Sequence, residues 1–278
     1  MSEVLIEAEA LSKTYHLRNT TSGVLDGIGA LFRPRYHQKE VLNHISFGIK
    51  AGECVGLLGQ NGAGKSTLTK ILTGIIRPTS GRVSALGFSP QKRDLAFLRQ
   101  IGAVFGHKTA LWWDLPVRDS LEASRMIYRT ERDVFKKSLD ELVECLTIGH
   151  ILDQPVRQLS LGERVKAELA ANLLHRPKVL FLDEPTIGLD LSSKYQIRDY
   201  LNMKKKQDGL AILLTSHDTG DIEGCCDRIL ILHRGTIDYE GVTTGLQSNN
   251  SDTHRLSLET LLFQRFKKLT ESQKEELV

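Results

Sequence analysis

The chain has 278 residues, 40% hydrophobic and 26% charged, the balance of an ordinary globular protein with room for a sizeable core. A formal charge of +3 gives no strong electrostatic grip on nucleic acid, and no run of about 18 apolar residues offers a membrane span. Cys54, Cys145, Cys225 and Cys226 lack zinc-type spacing and suit a reducing compartment, and residues 1–20 are acidic and alternating, without a signal-peptide core.

In chain order, Val4, Ile6 and Ala8 alternate with Glu3, Leu5, Glu7 and Glu9 and predict an edge strand. Val41 to Ile49 reads as a second strand, and CVGLLG at 54–59 as a buried third after the turn AGE. A helix is expected from Lys65 to Leu72, closed by Gly74 with Pro78 beyond it. A turn at 78–81 leads to a short strand over 82–85, and IGAVFG at 101–106 is another strand. Residues 116–146 look helical and carry most of a second lobe; further helices are expected at 163–174 and 192–206. Between those two, KVLFLD at 178–183 is continuously apolar, as in a sheet covered on both faces, and AILLT at 211–215 repeats the pattern. RILIL and TIDYE form a hairpin about Gly235. Residues 244–254 read as a polar loop, followed by a helix with one stripe of Leu258, Leu261, Leu262, Arg265 and Phe266. Apolar strands alternating with helices give the α/β class with a mostly parallel sheet.

Chemistry concentrates in LGQNGAGKST at 58–67. Gly59, Gly64, Lys65 and Ser66 satisfy the phosphate-loop pattern, with a strand before and a helix after. Glycines let the backbone turn its N–H groups inward, and the helix N-terminus adds positive potential. Lys65 is placed for the β- and γ-phosphates, and Ser66 for Mg²⁺. Asp183 and Glu184 leave the strand at 178–183, the first to anchor the metal and the second to polarise the attacking water. A further anion site is read at Ser160 and Gly162, a hydroxyl and a glycine opening a helix. One chain seldom needs two such sites for one nucleotide, whereas two chains head to tail do.

Together these residues resemble the nucleotide-binding subunit of an ABC transporter over about residues 4–241. The resemblance implies an α/β P-loop NTPase of ABC type, its mostly parallel core sheet flanked by an antiparallel β subdomain and a helical subdomain at about 107–175. The nucleotide-binding domain would span 1–243, with 244–278 as a tail. Gly59, Gln60, Asn61, Gly62, Ala63, Gly64, Lys65, Ser66 and Thr67 match the Walker A loop, and FLDE at 181–184 ends Walker B. LSLGE at 159–163 matches the signature, Asp190 the D-loop at a dimer seam, His217 the switch histidine, and Tyr15 the aromatic that stacks on adenine. ATP and Mg²⁺ are the implied cofactors. The implied partners are a membrane permease and a second ATP-binding subunit, at the cytoplasmic face of the plasma membrane. The alternative, a soluble ABC ATPase of DNA repair or translation, fits less well: residues 68–158 hold no sustained heptads, and the chain carries one set of motifs.

Two departures from the family pattern stand out. Leu161 and Glu163 replace a glycine and a glutamine of the signature, and His107 stands where a glutamine is usual. Either His107 substitutes for that glutamine, or turnover is slow or pH-sensitive. Trp112 and Trp113 beyond it suit either a docking surface for a membrane-protein helix or core packing. Residues 17–40 lengthen the approach to the phosphate loop with an aromatic–basic mix, similar to exporters of the viologen, multidrug and polysaccharide types.

Overall fold

A computed structural model describes residues 3–18, 36–106, 109–242 and 258–267, except 263 and 266. Nine strands form two sheets among them. β1 (Val4–Arg18), β2 (Tyr36–Lys50) and β4 (Ser80–Ala85) make an antiparallel sheet in the order β2-β1-β4. β3 (Cys54–Gly59), β5 (Ile101–Phe105), β6 (Val179–Asp183), β7 (Ala211–Thr215), β8 (Arg228–His233) and β9 (Thr236–Val242) make the larger sheet, in the order β5-β6-β7-β3-β8-β9. All its neighbours are parallel except the β8–β9 hairpin.

The apolar runs are explained by burial on both faces. Val179 and Phe181 of β6 point into one core with Leu213, Leu57 and helix α1 (Lys65–Leu72). Leu180 and Leu182 point into the other, with Ile212, Leu58 and the helices α3 (Val117–Tyr128), α4 (Arg132–Leu146), α5 (Leu161–Leu173) and α6 (Leu191–Asp208). Each fully buried aliphatic side chain contributes about 1.5–3 kcal/mol. A sheet with two such layers therefore holds its strand ends firmly in register.

Several expectations need correction. β1 is the central strand of its sheet, bonded to β2 and to β4. Register shifts interrupt its alternation: Ile6 and Ala8 are buried but Val4 is exposed, and Leu5 is buried instead. The stretch 116–146 is two helices. Arg129 takes φ 54 at the end of α3, and α4 starts after Glu131. No glycine or proline marks that break, so periodicity alone reads through it. A short α2 (Leu95–Leu98) and α7 (Thr219–Cys225) complete the helices named here. Beyond β9, Leu258, Leu261 and Leu262 are buried in the second core, and Arg265 Nε donates to Asp238 Oδ2 at 2.6 Å. The polar stretch 244–254 and Phe266 lie outside the described residues. No described helix is long and apolar enough to cross a membrane.

Candidate functional site

In an open parallel sheet, ligands bind beyond the carboxyl ends of the strands. Here β3, β6 and β7 end side by side, at Gly59, Asp183 and Thr215. The turn after β3 runs so close to its neighbours that only glycine fits. A Cβ on Gly59 would sit 2.3 Å from the Leu232 carbonyl oxygen, and one on Gly64 would sit 2.8 Å from that of Val41. Both hold positive φ, at 152° and 112°. α1 then begins at Lys65 with no side-chain cap, which leaves its opening N–H donors to a ligand. The Lys65 ammonium folds back over the loop and donates to the carbonyls of Gly59 (2.6 Å) and Gln60 (3.3 Å). Burial pushes its pKa down, opposed by the nearby Glu184 and Asp183 carboxylates.

Above the loop lies a cleft of about 610 Å³. Asn61 to Thr67 line its floor, Asp183, Glu184 and His217 one wall, and Tyr15 the other. Lys13 Nζ stands 4.9 Å from the Tyr15 ring centroid. Leu17 and Lys39 extend the same wall, because β1 and β2 continue as a long hairpin in which Tyr15 pairs with Lys39. The described ends of the 17–40 stretch thus belong to the cleft; residues 19–35 lie outside the described residues.

One hydroxyl holds the carboxylate wall. Thr215 Oγ1 donates to Asp183 Oδ1 at 2.6 Å and accepts from the Glu184 N–H at 3.1 Å. Glu184 sits at φ 55, a strained conformation for a side chain with a Cβ. Its Oε2 accepts the His217 backbone N–H at 3.1 Å, and His217 Nε2 lies 3.1 Å from Oε1. That second contact is short but poorly aligned, so buried Oε1 makes no proper hydrogen bond. Among the described residues, no three or more His, Cys, Asp and Glu groups converge to hold a metal unaided. Magnesium does not require that, since it takes one or two protein oxygens and completes its shell with phosphates and water. The oxygens of Ser66 and Asp183, with an orphan carboxylate oxygen beside them, fit it.

Ser160, Gly162 and Asp190 do not line this cleft. Ser160 caps α5 in a full capping box. Glu163 N donates to Ser160 Oγ (3.3 Å), while Ser160 N (2.9 Å) and Oγ (2.7 Å) donate to Glu163 Oε2. The Ser160 hydroxyl, then the Ser160 N–H, and then His150 at 2.9 Å hold the Glu163 carboxyl below its usual pKa. The predicted anion site is thus occupied by a carboxylate of its own helix. Asp190 caps α6, accepting from Ser193 N at 2.9 Å and Oγ at 2.7 Å. Gly162 packs on that cap, where an added Cβ would sit 3.2 Å from Ser193 Oγ. Leu161 lies against Gly188 and is itself 42% exposed. Trp112 and Trp113 are both about half exposed, which rules out core packing for either. His107 lies outside the described residues.

Residues 42–187, more than half of the chain, match the ABC transporter family. The chain belongs to that family. As an ABC transporter ATP-binding subunit, it binds ATP and hydrolyses it. It is 28% identical to the ABC transporter ATP-binding protein NatA of Bacillus subtilis (strain 168), over 77% of this chain and 87% of that one. It is 37% identical to the Nod factor export ATP-binding protein I of Neorhizobium galegae, over 74% of this chain and 59% of that one. A solved structure of the ATP-binding subunit of an ABC transporter superposes with a TM-score of 0.76 at 25% identity, covering 94% of this chain and 98% of that one.

Sequence reading of this ABC subunit missed the bracing beneath the switch. Asp221, only 1% exposed, accepts from Ser216 Oγ (2.7 Å), Arg198 Nε (2.7 Å) and the Thr186 hydroxyl. It ties the loop carrying His217 to the segment after Glu184. Asp221 stands in an unremarkable polar stretch, and only its burial distinguishes it.

Proposed function

We propose that this chain powers export through a separate membrane permease. Two ATP-binding subunits would close on two ATP molecules and part after hydrolysis. The supporting observation is a site divided in space: a complete phosphate cradle with its carboxylate wall, and a serine-capped helix end that does not line that cleft. The second half fits the open side of a partner's cradle. Identity with a Nod factor export protein supports export over the repair or translation alternative. The half-exposed Trp112 and Trp113 offer an apolar footing for a permease helix, which would hold the subunit at the cytoplasmic face of the membrane. The 1–243 unit would carry the nucleotide chemistry, with 244–278 as an appended tail.

The geometry supports the following roles. The loop N–H groups and Lys65 bind the triphosphate, and Tyr15 stacks on the base. Ser66 and Asp183 would hold Mg²⁺, which would supply charge neutralisation on the phosphates. Glu184 accepts the proton of the attacking water as the terminal P–O bond of ATP breaks. His217, against Glu184, contacts the transferred phosphate. On closure the Ser160 hydroxyl turns from Glu163 to the partner's nucleotide. Whether His107 replaces the usual glutamine is answered by His107→Gln: faster turnover or a flatter pH profile is expected if it does, and unchanged kinetics if it is a passive loop residue.

The deciding experiment is Glu184→Gln with saturating Mg-ATP in sedimentation velocity. Turnover should fall about 10²–10⁴-fold as general-base help is lost, and the variant should sediment as a dimer. A strictly monomeric variant, even with the permease present, refutes the divided site.

A further inference from the structure

α5 is buried over most of its length, yet it carries a polar stripe at four-residue spacing: Arg164, Glu168 and Asn172. All three reach β5 or the chain leaving it. Asn172 Oδ1 accepts the Ala103 N–H at 3.2 Å. Glu168, only 7% exposed, accepts from Thr109 Oγ1 at 2.6 Å and from the Ala110 N–H at 2.7 Å. The Arg164 guanidinium lies 5.8 Å from the Trp113 ring. The strap 109–113 is therefore fastened at two points to the helix that Ser160 caps. The strap follows closely on Gly106, which lines the nucleotide cleft beside Asp183 and Glu184. A buried carboxylate is costly unless its oxygens are satisfied, and both oxygens here are spent on the strap. Burial alone raises the Glu168 pKa, while the strap's hydrogen bonds oppose that rise.

We propose that Glu168 is a positioning residue for ATP hydrolysis, locking strap 109–113 to α5 so that the exit of β5 at the cleft and the serine-capped helix move as one body. A broken lock would misplace the cleft's β5 edge while leaving the phosphate cradle intact. The effect then falls on kcat and not on KM. The inference rests on ATP turnover at this cleft, but not on dimer closure, which the Glu184→Gln sedimentation result tests separately.

Both tryptophans of the chain lie on the strap, so tryptophan fluorescence, excited selectively over tyrosine, reports on it alone. Glu168→Ala should raise acrylamide quenching and lower kcat about 10- to 100-fold, with KM for ATP within about two-fold, as for a displaced catalytic geometry. Glu168→Gln keeps an acceptor for Ala110 and can donate to the Thr109 hydroxyl, so both readouts should return towards the parent. Thr109→Val removes one fastening without touching α5, and should shift both readouts the same way by less. If Glu168→Ala fails to fold, Thr109→Val decides. Parent-like kcat in the folded alanine variant overturns the proposal. So does Glu168→Gln as impaired as alanine, or Thr109→Val with parent values in both readouts.

Discussion

At the scale of single residues, Thr215 joins both members of the carboxylate wall. It is fully buried at the end of β7, and one hydroxyl orients Asp183 and receives the N–H of strained Glu184. Thr215→Val preserves shape and removes both bonds. A buried group left unpaired costs about 1–3 kcal/mol. If even the lower part of that range falls on the transition state, kcat drops about 5- to 30-fold. The check is steady-state ATP turnover beside a thermal melt; a large loss of melting temperature with kcat unchanged would make Thr215 a packing residue only. Lys65, Asp183 and Glu184 were legible in sequence because phosphate chemistry fixes their type and spacing. Thr215 reads in the sequence only as the end of the apolar run AILLT, since nothing in a threonine at a strand end says which carboxylate it faces.

At the scale of elements, the start of α5 is at once a helix cap and a binding surface, and the two uses compete. Glu163 satisfies the Ser160 N–H and places negative charge where helix dipole and hydroxyl would otherwise attract a phosphate. Glu163→Gln keeps an oxygen to accept the Ser160 N–H but drops the charge. Removing a charge at a helix end is worth about 0.3–1 kcal/mol, so ATP-driven dimerisation of a Glu184→Gln background should tighten roughly two- to five-fold. Weaker dimerisation by analytical ultracentrifugation would mean that Glu163 serves closure instead of opposing it. Ser160→Ala should cost about 1 kcal/mol of stability through the lost cap and also weaken the dimer, a pairing that a purely structural serine would not show. The Ser-x-x-Glu spacing was visible in the sequence, but His150 as the carboxylate's third partner was not, because it arrives from a separate turn. Likewise the α3–α4 break hinges on Arg129 in a left-handed conformation, which no glycine announced.

At the scale of the whole molecule, the continuous apolar strands announced a sheet covered on both faces, and the two cores divide on alternate residues of β6 as that pattern requires. What the sequence could not convey was how the helical lobe is joined to the sheet, because that joint depends on contacts distant along the chain. His175 is one such joint. Its ring stacks on Tyr128 of α3 with centroids 3.7 Å apart, and Nε2 donates to the Ile101 carbonyl of β5 at 2.9 Å, while Nδ1 is buried with no partner. Burial drives its pKa from 6.5 down to about 4, only partly opposed by the Ile101 carbonyl. Because the folded value is the lower one, the unfolded chain takes up the proton first. The neutral ring's contribution is therefore complete above pH 6.5 and drains away as pH falls towards 4. The full shift corresponds to about 3 kcal/mol. His175→Gln keeps an N–H for the Ile101 carbonyl and cannot titrate. Urea unfolding of parent and variant at several pH values between 7 and 4 should show the parent losing stability faster, so that the gap between them closes or reverses on acidification. A gap that stays constant across that range would mean His175 does not carry the joint's acid sensitivity.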